Sequence, residues 1–392
     1  MSSMRALFKV TFKRDVQSTT NIVIFAALVI LLLGTFFSQT GQANTTRGDL
    51  YNVYVTTDDG ITNEVIALRK VKHRTAAQTA RLNQKLTEKT YADQIIAAAS
   101  ASPAAADQLN RALLHYAQYA LRQTQKDPRT PLQLIAYTDQ PLDRSLLGRV
   151  KDVAFYRYLL DHHIQEIPTA AVHAPAINYL AGAFLYHVSP FLIIAVLLVG
   201  LAEFFTMDKR LGTIDFANTL PISKSKVLLI QGLLTCLLMF VLFLLAAVAV
   251  FLLVGSQNGW GTWTYPLVYS LDGLHARIMP LAQLMGMLVL SIFSLLVFFT
   301  AIGGLISLFV RTTGTHFLWA SALLLTGLPS VLGPATRLMP WLPVGYFDYA
   351  AVILHRTNWP TLGFGGGVGL LLGWSLLVFG GTGVLLHRRQ LL

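Results

Sequence analysis

His162-His163 and His173 are the first side chains in this chain that would suit a metal ion. Adjacent histidines on a helix point to different faces, and no cysteine or carboxylate cluster completes a shell, so the spacing predicts no metal site. Nucleophilic chemistry has no better footing. The sequence holds no Gly-x-Ser-x-Gly, no His-Glu-x-x-His and no paired acids suited to an intramembrane enzyme. It also lacks a Gly-x-x-x-x-Gly-Lys-Ser/Thr phosphate loop, so a nucleotide that powers this protein must bind another chain. Cys236 is the only cysteine; it reads as a small buried apolar side chain, and no intrachain disulfide can form.

One stretch concentrates charged and hydroxyl side chains: Glu203-Phe-Phe-Thr-Met-Asp-Lys-Arg-Leu-Gly-Thr213, continuing to Thr219-Leu-Pro-Ile-Ser223-Lys224. Glu203 is expected to end an apolar helix. Residues 208–219 can form a short helix across the membrane face, Pro221 breaks it, and Ser223 can cap the next helix. A stiff helix hung between two membrane spans is a lever, because pushing on it moves both. Composition alone fits a solvated connector equally well.

The elements that would carry this lever are six long apolar runs, at residues 21–37, 180–205, 227–255, 281–310, 317–332 and 361–386. A hydrocarbon layer about 30 Å thick takes roughly 20 helical residues to cross, and each crossing must be helical because lipid offers backbone amides no partner. With 54% hydrophobic and 12% charged residues, the chain departs from soluble domains, where about 25% are charged. The net charge of +11 invites a nucleic-acid reading that its distribution argues against. Arg5, Lys9, Lys13, Arg14, Lys209, Arg210, Lys224, Lys226, Arg311, Arg388 and Arg389 fall on one side of the runs, while short loops on the other carry Arg277, Arg337 and Arg356. The positive-inside bias therefore puts both termini in the cytoplasm of a multi-pass plasma-membrane protein.

The expected fold is an all-α polytopic membrane protein with a mainly helical extracellular domain. Residues 1–20 hold an amphipathic interfacial helix, with Met4, Leu7, Phe8, Thr11 and Phe12 on one face. Residues 21–38 form the first span, read as a retained anchor because Gly41-Gln42-Ala43 makes a poor cleavage site. The extracellular domain takes residues 39–178. Tyr51–Val55 alternates like a strand before the turn signal Asp58-Asp59-Gly60, and helices follow at 63–100, 103–125 and 142–165. Leu109, Leu113 and Tyr116, and Leu146, Val150 and Val153, recur at helical spacing as core positions. Residues 179–392 hold five further spans. Within them, Pro334, Pro340 and Pro343 break residues 333–360 into short interfacial or re-entrant helices. Gly365, Gly369 and Gly373 give the last span a ridge along which another helix can approach.

Spans three and four contain no Asp, Glu, Lys or Arg in their apolar interiors, which argues against proton- or sodium-coupled transport. His187 is the polar exception in span two, as a neutral imidazole bonded to a neighbouring helix or as the lining of a path.

The pattern Glu203…Asp208…Gly212-Thr213…Leu220-Pro221-Ile222-Ser223…Lys226 resembles the second-to-third-span region of type-2 ABC transporter permeases. The N-terminal helix, six spans, Pro343-x-x-Tyr346-Phe347-Asp348 and the basic tail His387-Arg388-Arg389 fit the same layout. This resemblance implies the permease subunit of an ATP-driven exporter of an amphiphilic or hydrophobic drug, peptide or lipid-like molecule. It implies an ABC ATPase partner that carries ATP and Mg, and a second permease copy or paralogue. Glu203, Asp208, Lys209, Arg210, Gly212, Thr213, Asp215, Pro221 and Ser223 would then couple to the ATPase. His187, Pro190, Pro343, Tyr346, Phe347 and Asp348 would line an outer gate or substrate path. No catalysis and no cofactor are implied for this chain itself. The alternative is a non-transporting sensor or scaffold whose extracellular domain binds a ligand.

Overall fold

The structure, a computed structural model, describes residues 16–39, 46–100, 106–136, 138, 141–167, 173–210, 212, 223–332, 338–357, 359 and 361–391. The chain is mostly helical. It begins with α1 (Thr19–Gln39), α2 (Thr46–Lys70), α3 (Ala76–Ser100), α4 (Ala106–Lys126) and α5 (Leu146–Asp161). Next, α6 (Ala176–Gly182) runs into a π turn (Ala183–His187), followed by α7 (Pro190–Arg210) and α8 (Lys224–Asn258). Strands β1 (Pro266–Tyr269) and β2 (Arg277–Pro280) pair antiparallel, with Pro266 opposite Pro280. The chain continues through α9 (Leu281–Ser307), α10 (Thr313–Leu325), short turns that include α11 (Tyr349–Ile353), and α12 (Phe364–Leu391). The amphipathic N-terminal segment at residues 4–12 lies outside the described residues.

These elements divide into two compact units. The first takes residues 35–182 together with 254–283. Its helices begin earlier than the turn signals suggest. Tyr51–Val55 and Asp58-Asp59-Gly60 all lie within α2 rather than in a strand and a turn. Leu50, Tyr54, Ile61 and Val65 are buried on one helical face, and that packing overrides the local alternation. The expected helix at 63–100 is in fact two. Arg74 donates to the carbonyls of Leu68 and Arg69, stopping α2. Thr75 and Gln78 then exchange side-chain and backbone bonds of 2.9 and 3.2 Å, a capping box that starts α3. Leu109, Leu113 and Tyr116 are core residues as their spacing indicates. Leu146 is instead 46% exposed, because it opens α5 directly after the N-cap Ser145.

The interior of this unit is held by charge as well as by apolar packing. Residues 131–136 run extended, with Leu132, Leu134 and Ala136 buried. The hydroxyl of Tyr54 donates to Ile135 O at 3.0 Å and that of Tyr116 donates to Leu134 O. Lys85, 1% exposed, donates to Glu88 at 3.1 Å and to Pro131 O at 3.3 Å. Glu88 also accepts from the Gln133 N–H at 3.3 Å and from Gln84 at 3.2 Å. Each buried charge therefore has several partners, which offsets its desolvation.

The connection between α8 and α9 belongs to the same unit, a role that the sequence pattern does not announce. Asn258 donates to Ala174 O, and the N–H groups of Ala176 and Ile177 donate to Gly259 O and Trp260 O. Gly261 adopts φ +78°, and a Cβ there would lie 2.7 Å from Ile177. The end of α8 is thus sewn to the start of α6. Tyr265 meets Phe155 edge-on at 5.7 Å, holding the hairpin against α5.

The second unit takes α1 up to Gly34, residues 183–253 and residues 284 onward. Four helices, in α7, α8, α9 and α12, are long and apolar enough to cross a membrane. α1 holds a shorter apolar stretch, Thr19–Gly34. The fifth run appears as the 13-residue α10, a break at residues 326–328 and one turn at Pro329–Leu332. At 1.5 Å per residue α10 covers about 20 Å, short of the roughly 30 Å of hydrocarbon. The second run is interrupted too, by the π turn and then Ser189-Pro190.

Small residues set the close approaches in this unit. A Cβ on Gly200 would strike Met239 and lie 2.8 Å from Ile24, so α1, α7 and α8 meet there. The ridge Gly365, Gly369 and Gly373 has nothing within 4 Å, whereas Gly367 receives the Tyr346 ring. Cys236 is buried.

Two outcomes test the first unit. Lys85→Met should destabilise it by about 3–5 kcal/mol, the cost of stranding a buried carboxylate, read as lost hydrogen-exchange protection in α3 and α4. Burial pushes the Asp152 carboxyl up to about 7, against the opposing pull of Arg149. A carboxyl that stays protonated only when folded makes stability fall as pH rises from about 4 to about 7. Asp152→Asn should flatten that fall and raise the unit's stability at pH 8, by on the order of a few kcal/mol.

Candidate functional site

α7 does not stop at Glu203, as the charge would suggest, but continues to Arg210. The reason is that Glu203 finds its partners inside the fold. Its carboxylate pairs with Arg210 two turns further on and accepts from the Thr313 hydroxyl at 3.4 Å. Thr313 also bonds Thr206 at 2.9 Å, and Thr206 donates back to Ala202 O at 2.7 Å. These hydroxyls join α7 to the first turn of α10.

Lys209 joins α7 to α9. Its ammonium donates to Ser307 O and, at 2.9 Å, to Val310 O. These carbonyls at the end of α9 are left without helical partners, and a cation there also suits the helix dipole. One turn deeper, Gly303 lets α7 and α10 close on α9: a Cβ there would lie 2.9 Å from Phe205. His316, 1% exposed, bonds Gly303 O through Nε2 at 3.0 Å and stacks on Phe205 at 5.8 Å between centroids. The result is a polar knot of Glu203, Thr206, Lys209, Arg210, Thr313 and His316 that binds three helix ends together.

The chain leaves this knot at once. Gly212 takes φ +68°, a left-handed conformation that glycine adopts without strain, and a Cβ there would have no neighbour within 4 Å. Residues 208–210 belong to α7, so the expected helix at 208–219 does not begin as a separate element. The Asp208 side chain, and Thr213, Asp215, Pro221 and most of that segment, lie outside the described residues. Ser223 opens α8, its carbonyl accepting from Lys226 and Val227 N–H.

At the other end of α7, Pro190 occupies the first helical position after Ser189, where its missing N–H costs nothing. Before it stands the π turn, with His187 exposed and Tyr186 under the Arg356 guanidinium at 5.0 Å. Pro343 starts a short helical turn. Tyr346 donates to Pro340 O at 3.1 Å, and Phe347 is buried against Phe298 and Phe299. Asp348 serves as the N-cap of α11, accepting from Ala351 N–H at 2.9 Å. Residues 338–357 form short turns rather than one helix, as their prolines require. Among the described residues, no three His, Cys, Asp or Glu side chains converge as a metal site would need.

Thr206, Thr313, His316 and Arg356 are the functional candidates that spacing alone misses. One signal was present: Thr312 before an apolar run is an N-cap, and its side chain accepts from Thr315 N–H. No protein-family model, characterised protein or solved structure matches this chain.

Glu203→Ala should lower the thermal stability of the purified chain by about 1–3 kcal/mol, since it strands Thr313 and Arg210 together. Arg210→Ala should cost under about 1 kcal/mol, because Arg210 is 43% exposed and solvent screens the pair. Equal melting shifts in the two variants would contradict the knot.

Proposed function

We propose that this chain is the membrane-spanning permease subunit of an ATP-driven exporter of amphiphilic or hydrophobic molecules. The observation that carries the reading is the knot at the end of α7. The segment from residue 211 to 223 connects the two long apolar helices α7 and α8, and its root is bonded through Lys209, Glu203 and Thr206 into α9 and α10. A force applied to that segment therefore passes into several helices at once, which a passive connector does not need.

In this reading the spans are α1, α6 with α7, α8, α9, α10 with the turn after it, and α12. Both termini lie in the cytoplasm, and residues 39–178 with the 259–280 hairpin form the extracellular domain. A separate ABC ATPase binds ATP and Mg and grips residues 208–219 as it closes. Glu203, Lys209 and Arg210 hold the root of that handle, and Asp208, Thr213 and Asp215 face the ATPase. The movement runs along α7 to the π turn, Pro190 and the re-entrant segment. Arg356 on Tyr186 and the packed Phe347 fasten that segment to the outer gate. A second permease copy completes the pathway, and the free glycine ridge of α12 leaves room for a close helix neighbour.

Asp208→Lys combined with Gly212→Pro should abolish transport and permease-stimulated ATP hydrolysis while insertion stays normal. Reconstitution with the P-loop ATPase that co-purifies with the chain measures both. Unchanged export by that variant would remove the handle, and failure of any such ATPase to co-purify would remove the exporter.

A further inference from the structure

Ser291 and Ser294 of α9, Tyr346, Tyr349 and Val352 of the re-entrant segment, and Gly367 and Leu371 of α12 enclose a crevice of about 240 Å³, its open mouth included. Its polar side-chain atoms are all hydroxyls; no charged side chain lines it. Two of these hydroxyls are already engaged as donors: Ser294 donates to Ser291 O at 2.8 Å and Tyr346 to Pro340 O at 3.1 Å. Tyr349 is different. Its side chain is 2% exposed, and its hydroxyl is buried without a hydrogen-bond partner. An unpaired buried hydroxyl costs about 1–3 kcal/mol, so a group that fills the crevice and accepts that proton is favoured.

We infer that this crevice binds the polar group of an uncharged amphiphile that carries an ester or amide carbonyl. The carbonyl accepts from Tyr349, while the apolar chain lies along Val352, Val368 and Leu371. A carboxylate or ammonium is excluded, because nothing in the lining pairs with it and a lone charge in such a site is strongly disfavoured. Depth points the same way. Ser291 and Ser294 lie about 15–20 Å along α9 from Leu281, near the middle of the helix. The esters of an undisturbed lipid sit at the edge of a core about 30 Å thick, so a molecule in transit reaches the crevice more readily than a resident lipid. The site stands on the chain's own geometry; that its occupant is the exported molecule rests on the export reading above.

The test is photolabelling of the purified full chain by a diazirine-bearing fatty acyl amide, without the ATPase. The adducts are mapped by mass spectrometry, in detergent and in phosphatidylcholine nanodiscs. Labelling is expected on residues 281–307, 338–357 and 364–371. It should fall about tenfold in Tyr349→Phe, the equivalent of one hydrogen bond to the ligand, and in Val368→Trp, which fills the crevice. Tyr349→Phe removes only a hydroxyl that has no partner, so its melting temperature should not fall. Labelling that persists in nanodiscs supports a free amphiphile. Labelling present in detergent and suppressed by phosphatidylcholine supports the same site occupied by a bilayer lipid. Equal labelling of wild type and both variants, or adducts spread along the exposed face of α8 from Leu229 to Leu252, overturns the site. Because no ATPase is present, that result leaves the export reading to its own experiment.

Discussion

A polar group in hydrocarbon has no water to turn to, and the second unit is organised around that constraint. Its hydroxyls fold back onto their own helices: Thr206 onto Ala202, Thr235 onto Gln231, Ser307 onto Gly304, Ser375 onto Leu371 and Thr382 onto Val378. Such bonds hide the polar atom without calling on a second helix. Charges are held to the helix ends. There Lys209 supplies donors to the open carbonyls of α9, and Glu203 is shared between α7 and α10. One cluster therefore solves an electrostatic problem and makes a mechanical joint. The Tyr349 hydroxyl is a departure from this pattern, which is why it carries more functional weight than the satisfied hydroxyls around it.

The first unit meets a different requirement. Its buried ion pair and tyrosine hydroxyls hold an extended segment that has no strand partner, so side chains do the work of a β-ladder. The same unit takes in the ends of α8 and α9 through the hairpin, and backbone bonds from residues 176 and 177 fix the start of the helix that leads to the π turn. The chain thus alternates sewn and interrupted stretches along one path, and interruptions are where helices bend. Proline at 190 and the π turn before it mark such a place, with Arg356 gripping it through Tyr186.

Apolar runs of membrane length, the helical spacing of Leu109, Leu113 and Tyr116, and the helix-breaking prolines at 340 and 343 could all be read directly from the sequence, because each rests on local chemistry. The strand-like Tyr51–Val55 misled for the same reason: local alternation is weak beside a buried helical face that includes Leu50, Ile61 and Val65. The capping box at Thr75 and Gln78 was legible but is a short signal inside a long helical pattern. Within the site, Glu203, Lys209 and Arg210 stood out by being charges next to an apolar run. Thr313 and His316 did not, since they lie about 110 residues away and take their roles only from what they touch.

By itself the sequence determined that long stretches of this chain are helical, apolar and too rich in hydrocarbon side chains for a soluble domain, since transfer free energy follows composition. It also concentrated the charges at one end of those helices. The tertiary structure decided which charges are spent on one another, which glycines receive a neighbour, and which hydroxyl is left without one. Those outcomes depend on pairings across α7, α9, α10, α11 and α12, and pairing between residues distant in sequence is a property of packing, not of any local pattern.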